Sequence, residues 1–520
     1  MLSLIGITSS SLSAILGFVT FVCCLGYWHF TRTFNHWSKR GVIHEPPKIF
    51  FGNIKDRILL RKSFHEFQKE IYWKFKGHKF AGLFEGRRPT LILLDADLVK
   101  AVLVRDSDHF VDRPVLQFRD SPYIHNMILN LKGARWKAVR AHMTPAFSSG
   151  KLKAMEPLIT VCAKQLQEFI DRTVIAVEDG VMDMKDLFGR FTMDVIASCA
   201  FGVQCDSLKD RDAEFIRQMS RFGDLSIARR LIVFMVLILA PKMSRFLPIS
   251  FFNMDSIHYL AGAVKRAKKF RLENSSNRRN DFLQLMLDAE LNSEENAEKL
   301  KSENADVVLM TEDIVIAQSI LFLIAGFETS STLLTFASYE LALNIDAQNR
   351  VRNEINEVLE RHGGQVNYQA LNEMNYLEMV LNEALRKHPP VARIDRVCTK
   401  AYKVPQTNIT LQPGDSVSAP AIGFHYDPDY FPDPEKFDPE RFAPELKHER
   451  SPYVFLPFGA GPRNCIGLRF ALLSTKAAMA HLLKGYQLLP CEKTQVPYTF
   501  SKSSMLLKPV DGIWLKIEKL

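Results

Sequence analysis

Residues 458–467 read Phe-Gly-Ala-Gly-Pro-Arg-Asn-Cys-Ile-Gly (FGAGPRNCIG), and this run constrains the fold more than any other part of the chain. Glycines at 459, 461 and 467 allow positive φ and let the backbone approach a flat ligand closely. Downstream, Leu468, Ala471, Leu472, Thr475, Met479 and Leu482 recur with helical spacing. Cys465 is therefore expected at a helix amino terminus, where amide donors and the helix dipole favour a thiolate. A thiolate held this way can ligate iron axially, and Arg463 can pair with a carboxylate. A free cysteine on its own is usually a small buried hydrophobe. Here FxxGxRxCxG, opening at Phe458, fixes five positions at set spacing.

Upstream, Glu383 and Arg386 form an ExxR pair in NEALRKHPP, with Pro439-Glu440-Arg441-Phe442 between it and the cysteine run. An isolated pair of this kind is ordinarily a helix i, i+3 ion pair. Ala325-Gly326-Phe327-Glu328-Thr329 lies in an apolar helical stretch. Small residues at 325 and 326 permit close approach and a local kink beside a ligand. Glu328 and Thr329 supply a carboxylate and a hydroxyl suited to handing on protons. Equally, Gly326 relieves packing and Thr329 bonds back to its own helix. Trp136 and Arg140 lie one turn apart on an expected helix.

The chain has 520 residues, 47% hydrophobic and 24% charged, with a net charge of +9. These values exclude disordered and collagen-like classes. Eight cysteines without any CxxC offer neither a zinc site nor a disulfide framework. The basic balance suits an anionic membrane, an acidic partner or nucleic acid. No basic-aromatic stripe or recognised binding module supports the last of these. No GxGxxG follows an expected strand and no Walker loop occurs, so a site for NADPH or flavin is missing from the sequence pattern.

Residues 1–31 carry no acidic or basic side chain apart from His29, and LSAILGFVTFVCCLGYWHF (12–30) is long enough to cross a bilayer. Tyr27 and Trp28 suit the interfacial belt; Arg32, Lys39 and Arg40 follow it and put the body on the cytoplasmic side. Residues 32–49, with Pro46 and Pro47, read as a stiff break before one domain spanning 50–520. Short strands are expected at 79–84 and 90–94, around a turn at 86–89. Leu152, Met155, Leu158, Ile159, Cys162, Leu166, Phe169 and Ile170 form one helical apolar face. Residues 290–306 read as an exposed loop, and Thr311-Glu312-Asp313 as a cap and acidic first turn. Ile314–Phe327 is too short to span a membrane and fits a buried central helix. Leu231–Ala240 reads as core, with a dip into the membrane surface as the alternative. His142, His388 and His425 read as packing or surface residues.

The cysteine run strongly resembles the haem-thiolate loop of cytochromes P450, and the other motifs follow in that family's order. The stretches 144–153 (TPAFSSGKLK) and 422–442 (IGFHYDPDYFPDPEKFDPERF) look most like insect microsomal P450s of the xenobiotic-metabolising clan. The resemblance covers residues 45–520 and implies a mainly α fold with small β-sheets after a single transmembrane helix. It implies haem b ligated axially by Cys465, with Phe458, Gly459 and Gly467 shaping the loop. Propionate contacts would come from Arg463, Trp136, Arg140 and Arg396. The register at Asp112-Arg113-Pro114 leaves that segment unassigned. Glu383, Arg386 and Arg441 would form a structural network, and Glu328 and Thr329 would support proton delivery. Ile324, Ala325 and Val391, with the 107–131 loop, the 220–255 region and residues near Ser503, would meet substrate.

The implied reaction inserts one atom of O2 into a lipophilic xenobiotic, steroid or fatty acid at the endoplasmic reticulum membrane. Electrons would come from NADPH through cytochrome P450 reductase, with cytochrome b5 a further candidate partner. Lys132, Arg135 and Lys137 are candidates for the docking face. The alternatives are a P450-fold isomerase or dehydratase, and a haem-binding sensor without turnover. An intact Glu328-Thr329 pair argues against the isomerase.

Overall fold

The computed structural model describes residues 9–114, 122–176, 179–202, 207–208, 214–223, 226–239, 246, 250, 252–274, 281–295 and 309–520. The helices used below are α1 (Ser9–Thr31), α2 (Gly133–Met143), α3 (Ser149–Phe169), α4 (Met184–Ile196), α5 (Ile227–Leu239), α6 (Phe282–Glu295), α7 (Glu312–Leu343), α8 (Asn375–Lys387) and α9 (Leu468–Gly485). Strands are short: β1 (Phe80–Glu85), β2 (Arg88–Leu93), β3 (Val181–Asp183), β4 (Ile394–Val397), β5 (Tyr402–Lys403), β6 (Thr410–Leu411), β7 (Ser416–Ala419), β8 (Tyr486–Pro490) and β9 (Trp514–Lys519). They form three sheets, ordered β1-β2-β7-β4, β3-β9-β8 and β5-β6. The architecture is mainly helical with small sheets, as the sequence pattern suggests.

Helix α7 is the central element. The helix continues past Phe327 for about four more turns, and its side chains are buried from Ile314 to Leu321 and from Ser330 to Ala342. It passes the length and hydropathy test for a membrane span, but that surface is already covered by α4, α6, α8 and α9. Thr311 has the extended backbone of an N-cap, yet its hydroxyl caps no amide; Glu312 and Asp313 supply the acidic first turn. The most extensive helix contact is that of α7 with α4. At its centre a Cβ on Gly326 would lie 2.4 Å from Ile196 Cδ1. Gly326 thus serves helix packing, and α7 runs through it without interruption.

A second core lies under the β1–β2 hairpin, whose turn is Gly86-Arg87, with Arg88 and Pro89 already in the strand. Trp37 is buried against Gly82, where a Cβ would fall 2.5 Å from its ring, and its Nε1 donates to Leu83 O at 3.1 Å. Thr33 Oγ1 donates to Arg87 O at 2.8 Å, and Arg87 Nη1 donates to His29 O at 3.2 Å. The chain after α1 is therefore packed onto the hairpin as far as Val42. Helix α1 itself is apolar and almost wholly exposed along Ser13–Thr31, as a bilayer-facing helix would be.

Three local expectations change. In α3, Leu152, Met155, Ile159, Cys162 and Leu166 are buried, but Leu158 is exposed and Phe169 half-buried, because the helix presents a narrower stripe. Residues 290–295 are helical, not a loop: Glu290 is buried in α6 and accepts from Lys268 Nζ at 2.8 Å. The remainder of that stretch, 296–306, lies outside the described residues. Helix α5 buries Val233 but exposes Leu231, Ile232 and Met235, so this face is not core. A single helix pressed against the body on one side leaves its other side uncovered.

Candidate functional site

The cysteine loop is shaped by two left-handed glycines, Gly459 (φ 70°) and Gly461 (φ 72°). At Gly461 a Cβ would lie 1.7 Å from Leu103 O, so only glycine lets the loop pass that carbonyl. Cys465 N donates to Phe458 O at 2.8 Å and closes the loop. Gly467 is the N-cap of α9, placing Cys465 two residues ahead of it. Burial pushes the Cys465 thiol up, and the Gly467 N–H, Arg140 and Arg113 only partly oppose this. The helix start and the two arginines favour the thiolate while desolvation opposes it. The residue is nevertheless accessible, as is Ala325 in the middle of α7. The rings of Phe322 on α7 and Phe470 on α9 lie 5.9 Å apart, so α7 runs beside the helix that follows the loop.

Arginines cluster beside the loop. Arg140 Nη1 donates to Asn464 O at 3.0 Å and Nη2 to Asn464 Oδ1 at 2.9 Å. Arg463 Nε, Nη1 and Nη2 donate to Val111 O, Ile128 O and Leu131 O at 2.7, 3.1 and 2.6 Å. Its guanidinium lies 4.2 Å over the Trp136 ring, itself buried. Arg463 therefore clamps the preceding loop as well as facing the site. Arg396 Nη1 donates to Asp395 O at 2.8 Å. Arg113, unassigned by the sequence pattern, joins them: its Nη2 donates to Arg463 O at 3.0 Å. Burial, then Arg113 and Arg463, push Arg396 down to about 9; burial, then Arg113, push Arg463 down to about 9. Among the described residues, Asp112, Asp395 and Cys465 oppose this cluster electrostatically. Such an excess of buried cation asks for an anionic ligand edge.

Behind the loop, Arg386 Nε and Nη2 make a bidentate pair with Glu383 at 2.7 and 2.8 Å, both residues fully buried. Arg441 Nε lies 3.4 Å from Glu383 Oε1. Arg386 Nη1 donates to His425 O at 2.8 Å. His425 Nδ1 donates to Arg386 O at 3.1 Å, and its Nε2 accepts from Leu456 N at 3.0 Å. A buried neutral imidazole thus joins the ion-pair network to the segment leading into Phe458. His388 is also buried, between Glu340 Oε1 at 2.6 Å and Tyr498 OH at 2.8 Å.

On α7, Thr329 Oγ1 donates to Ala325 O at 2.6 Å, the local bond foreseen as one alternative. Glu328 faces elsewhere: its carboxylate meets Lys185 Nζ of α4 at 3.1 Å. Ile324 is half-buried, and Val391 is 41% exposed and bridged to Leu506. Lys132, Arg135 and Lys137 are exposed on α2 and its cap. Parts of the 107–131 and 220–255 segments lie outside the described residues.

A cysteine on a glycine-shaped loop beside a cluster of arginines fits a haem-thiolate site, the arginines matching the two carboxylates of such a macrocycle. The profile described as Cytochrome P450 matches residues 44–516. The chain is 37% identical over 522 residues to cytochrome P450 9e2 of Blattella germanica, covering 96% of this chain and 97% of the relative. It is 38% identical over 503 residues to cytochrome P450 6j1 of Blattella germanica, covering 96% and 97%. Against probable cytochrome P450 6a14 of Drosophila melanogaster it is 38% identical over 512 residues, covering 97% and 99%. The chain belongs to the cytochrome P450 family, is a monooxygenase, and is similar over nearly its whole length to insect members of that family.

Proposed function

We propose that this protein is a membrane-anchored monooxygenase that inserts one atom of O2 into a lipophilic small molecule, with NADPH electrons relayed by cytochrome P450 reductase. The observation that carries it is the accessible Cys465 thiol on its glycine-shaped loop, with Arg113 and Arg140 beside it and the buried Arg396 and Arg463 in the same cluster. Cys465 would ligate the iron of haem b through its thiolate. Arg113, Arg140, Arg396 and Arg463, with Trp136 beneath Arg463, orient it through its carboxylates, while Phe458, Gly459 and Gly467 keep the loop close. When bound, the haem supplies O2 activation. Ile324, Ala325 and Val391 contact substrate from the apolar side and exclude water. Thr329 and Glu328 hold and pass protons. Glu383, Arg386 and Arg441 keep the loop's backing rigid. Residues 1–31 hold the catalytic body at the cytoplasmic face of the endoplasmic reticulum, 32–49 join the two, and 50–520 form the catalytic domain. Cytochrome b5 is a second electron donor to the exposed basic face that includes Lys132, Arg135 and Lys137.

The test is the carbon monoxide difference spectrum of the reduced holoprotein, followed by NADPH-dependent O2 consumption with added reductase. Wild type should give the thiolate-type band, and Cys465→Ser should lose it. Retention of that band in Cys465→Ser would overturn the assignment. Rearranged product without NADPH would indicate an isomerase, and a thiolate spectrum without any turnover a sensor. Spectral titration with steroids, fatty acids and plant toxins would then select the substrate class.

A further inference from the structure

The hairpin over 499–510 is closed by two backbone bonds, Ser501 N to Lys508 O at 2.8 Å and Val510 N to Thr499 O at 2.9 Å. Its tip, 502–506, is held differently. Among the described residues no backbone N–H donates to Lys502 O or Ser504 O. One guanidinium from the far end of the sequence takes both carbonyls: Arg57 Nη1 donates to Lys502 O, and Nη2 to Ser504 O at 3.0 Å. Nη2 also lies 3.6 Å from Met505 Sδ. Within the tip, Leu506 N donates to Ser504 Oγ at 3.1 Å. Lys502, Ser503 and Met505 are exposed, so packing does little to place them. Arg57 leaves from the short helical turn Lys55–Ile58, and its guanidinium lies 5.9 Å over the buried Phe64 ring. Arg393 lies 5.2 Å over the same ring and is tied to Glu85 and Asp395. The grip on the tip therefore starts from a fixed base.

The tip leads back to the cysteine loop. Leu506 bridges Val391, and Leu507 N donates to Pro390 O at 3.1 Å. Val391 is three residues ahead of Ile394, so the two lie within about 11 Å of each other. Ile394 abuts the loop, since a Cβ on Gly459 would fall 3.7 Å from its Cδ1. We propose that Arg57 is a positioning residue for ligand selection: its fork holds the 502–506 tip so that Leu506 stays seated against Val391, which sets how bulky a molecule the site admits. The proposal rests on the substrate contact given to Val391 above. A planar fork suits the task because it reaches two carbonyls at once. Losing a hydrogen bond from a charged donor shifts a two-state opening by roughly tenfold or more.

The experiment uses the ferric holoprotein of the full chain. Hydrogen–deuterium exchange follows the amides of 503–507, and optical titration gives the dissociation constants of a small and a bulky azole, imidazole and clotrimazole. Arg57→Met should speed exchange at 503–507 by roughly tenfold, with exchange at 458–467 and the thiolate-type carbon monoxide band unchanged. The ratio of the imidazole to the clotrimazole dissociation constant should rise by the same roughly tenfold factor, because a ligand that needs the tip open binds in proportion to the open fraction. If Arg57→Met does not fold, Arg57→Lys, which keeps the charge without the fork, should move both readouts the same way by a smaller factor. Unchanged exchange at 503–507 overturns the proposal. Faster exchange with an unchanged ratio also overturns it when Val391→Phe moves that ratio. If Val391→Phe leaves the ratio unchanged as well, it is the substrate contact of Val391 that fails.

Discussion

At the scale of single residues, the strongest constraint is charge burial. Glu383 is the only carboxylate paired with Arg386 and Arg441 among the described residues, and all three are buried. Glu383→Gln should cost about 3–5 kcal/mol, the typical result of breaking one side of a buried pair; denaturant unfolding of the holoprotein measures it, and a loss below about 1 kcal/mol would contradict the network's importance. His425 gives a pH prediction with a definite sign. Burial, then the Arg386 charge, push it down to about 3 from the usual 6.5. Its folded pKa is depressed, so its contribution is present above about 6.5 and lost as pH falls towards 3. Protonation would also remove the acceptor for Leu456 N. The midpoint of denaturant unfolding should therefore fall between neutral pH and about pH 5, and His425→Gln, which keeps a donor and an acceptor, should flatten that dependence. Cys465, Arg463, Glu383 and Thr329 were legible because their motifs have fixed spacing. Arg113 was not: it reaches the site through a tertiary return of the chain, which no local spacing encodes.

At the scale of elements, glycine positions decide which segments can touch. Gly461 combines a φ of 72° with a Cβ position 1.7 Å from Leu103 O. Gly461→Ala should displace the cysteine loop and sharply reduce haem retained through purification, read as the ratio of haem to protein absorbance. Gly423→Ala would meet the Tyr72 ring at 2.3 Å away from that loop, and should lower stability by about 1–3 kcal/mol with the thiolate-type band retained. Equal haem loss in both would show that packing in general, not loop geometry, limits retention. Helix α7 was legible as a buried helix because its apolar run is too short for a bilayer and ends in Glu328. Its full 32 residues were not, because polar Ser330, Ser331, Thr332, Thr335 and Ser338 are buried in its second half. Hydroxyls such as Thr332 and Thr335 bond back to carbonyls of the same helix, which removes their cost. The α5 surface misled for a related reason: ten apolar residues in a row state a preference for burial, not which body supplies it.

At the scale of the whole molecule, one helical body centred on α7 joins a smaller core under the β1–β2 hairpin, and the chain after α1 belongs to the latter. The net charge of +9 suits an anionic surface or an acidic partner. Trp37 carries the packing between anchor and hairpin, so Trp37→Ala should cost about 3–5 kcal/mol, measured on protein truncated after Thr31. Truncation after Val42 should destabilise to a similar degree, whereas truncation after Thr31 alone should leave the thermal midpoint nearly unchanged. Packing of residues 32–42 also links two things usually considered separately. With Arg87 bound to His29 and Trp37 seated on Gly82, the axis of α1 is fixed relative to the sheet. Bilayer thickness sets how far such a helix leans. Under the proposed anchoring, a thinner or thicker membrane would therefore rotate the entire catalytic body with the helix, changing whether the apolar face of α5 rests in lipid or stands clear of it.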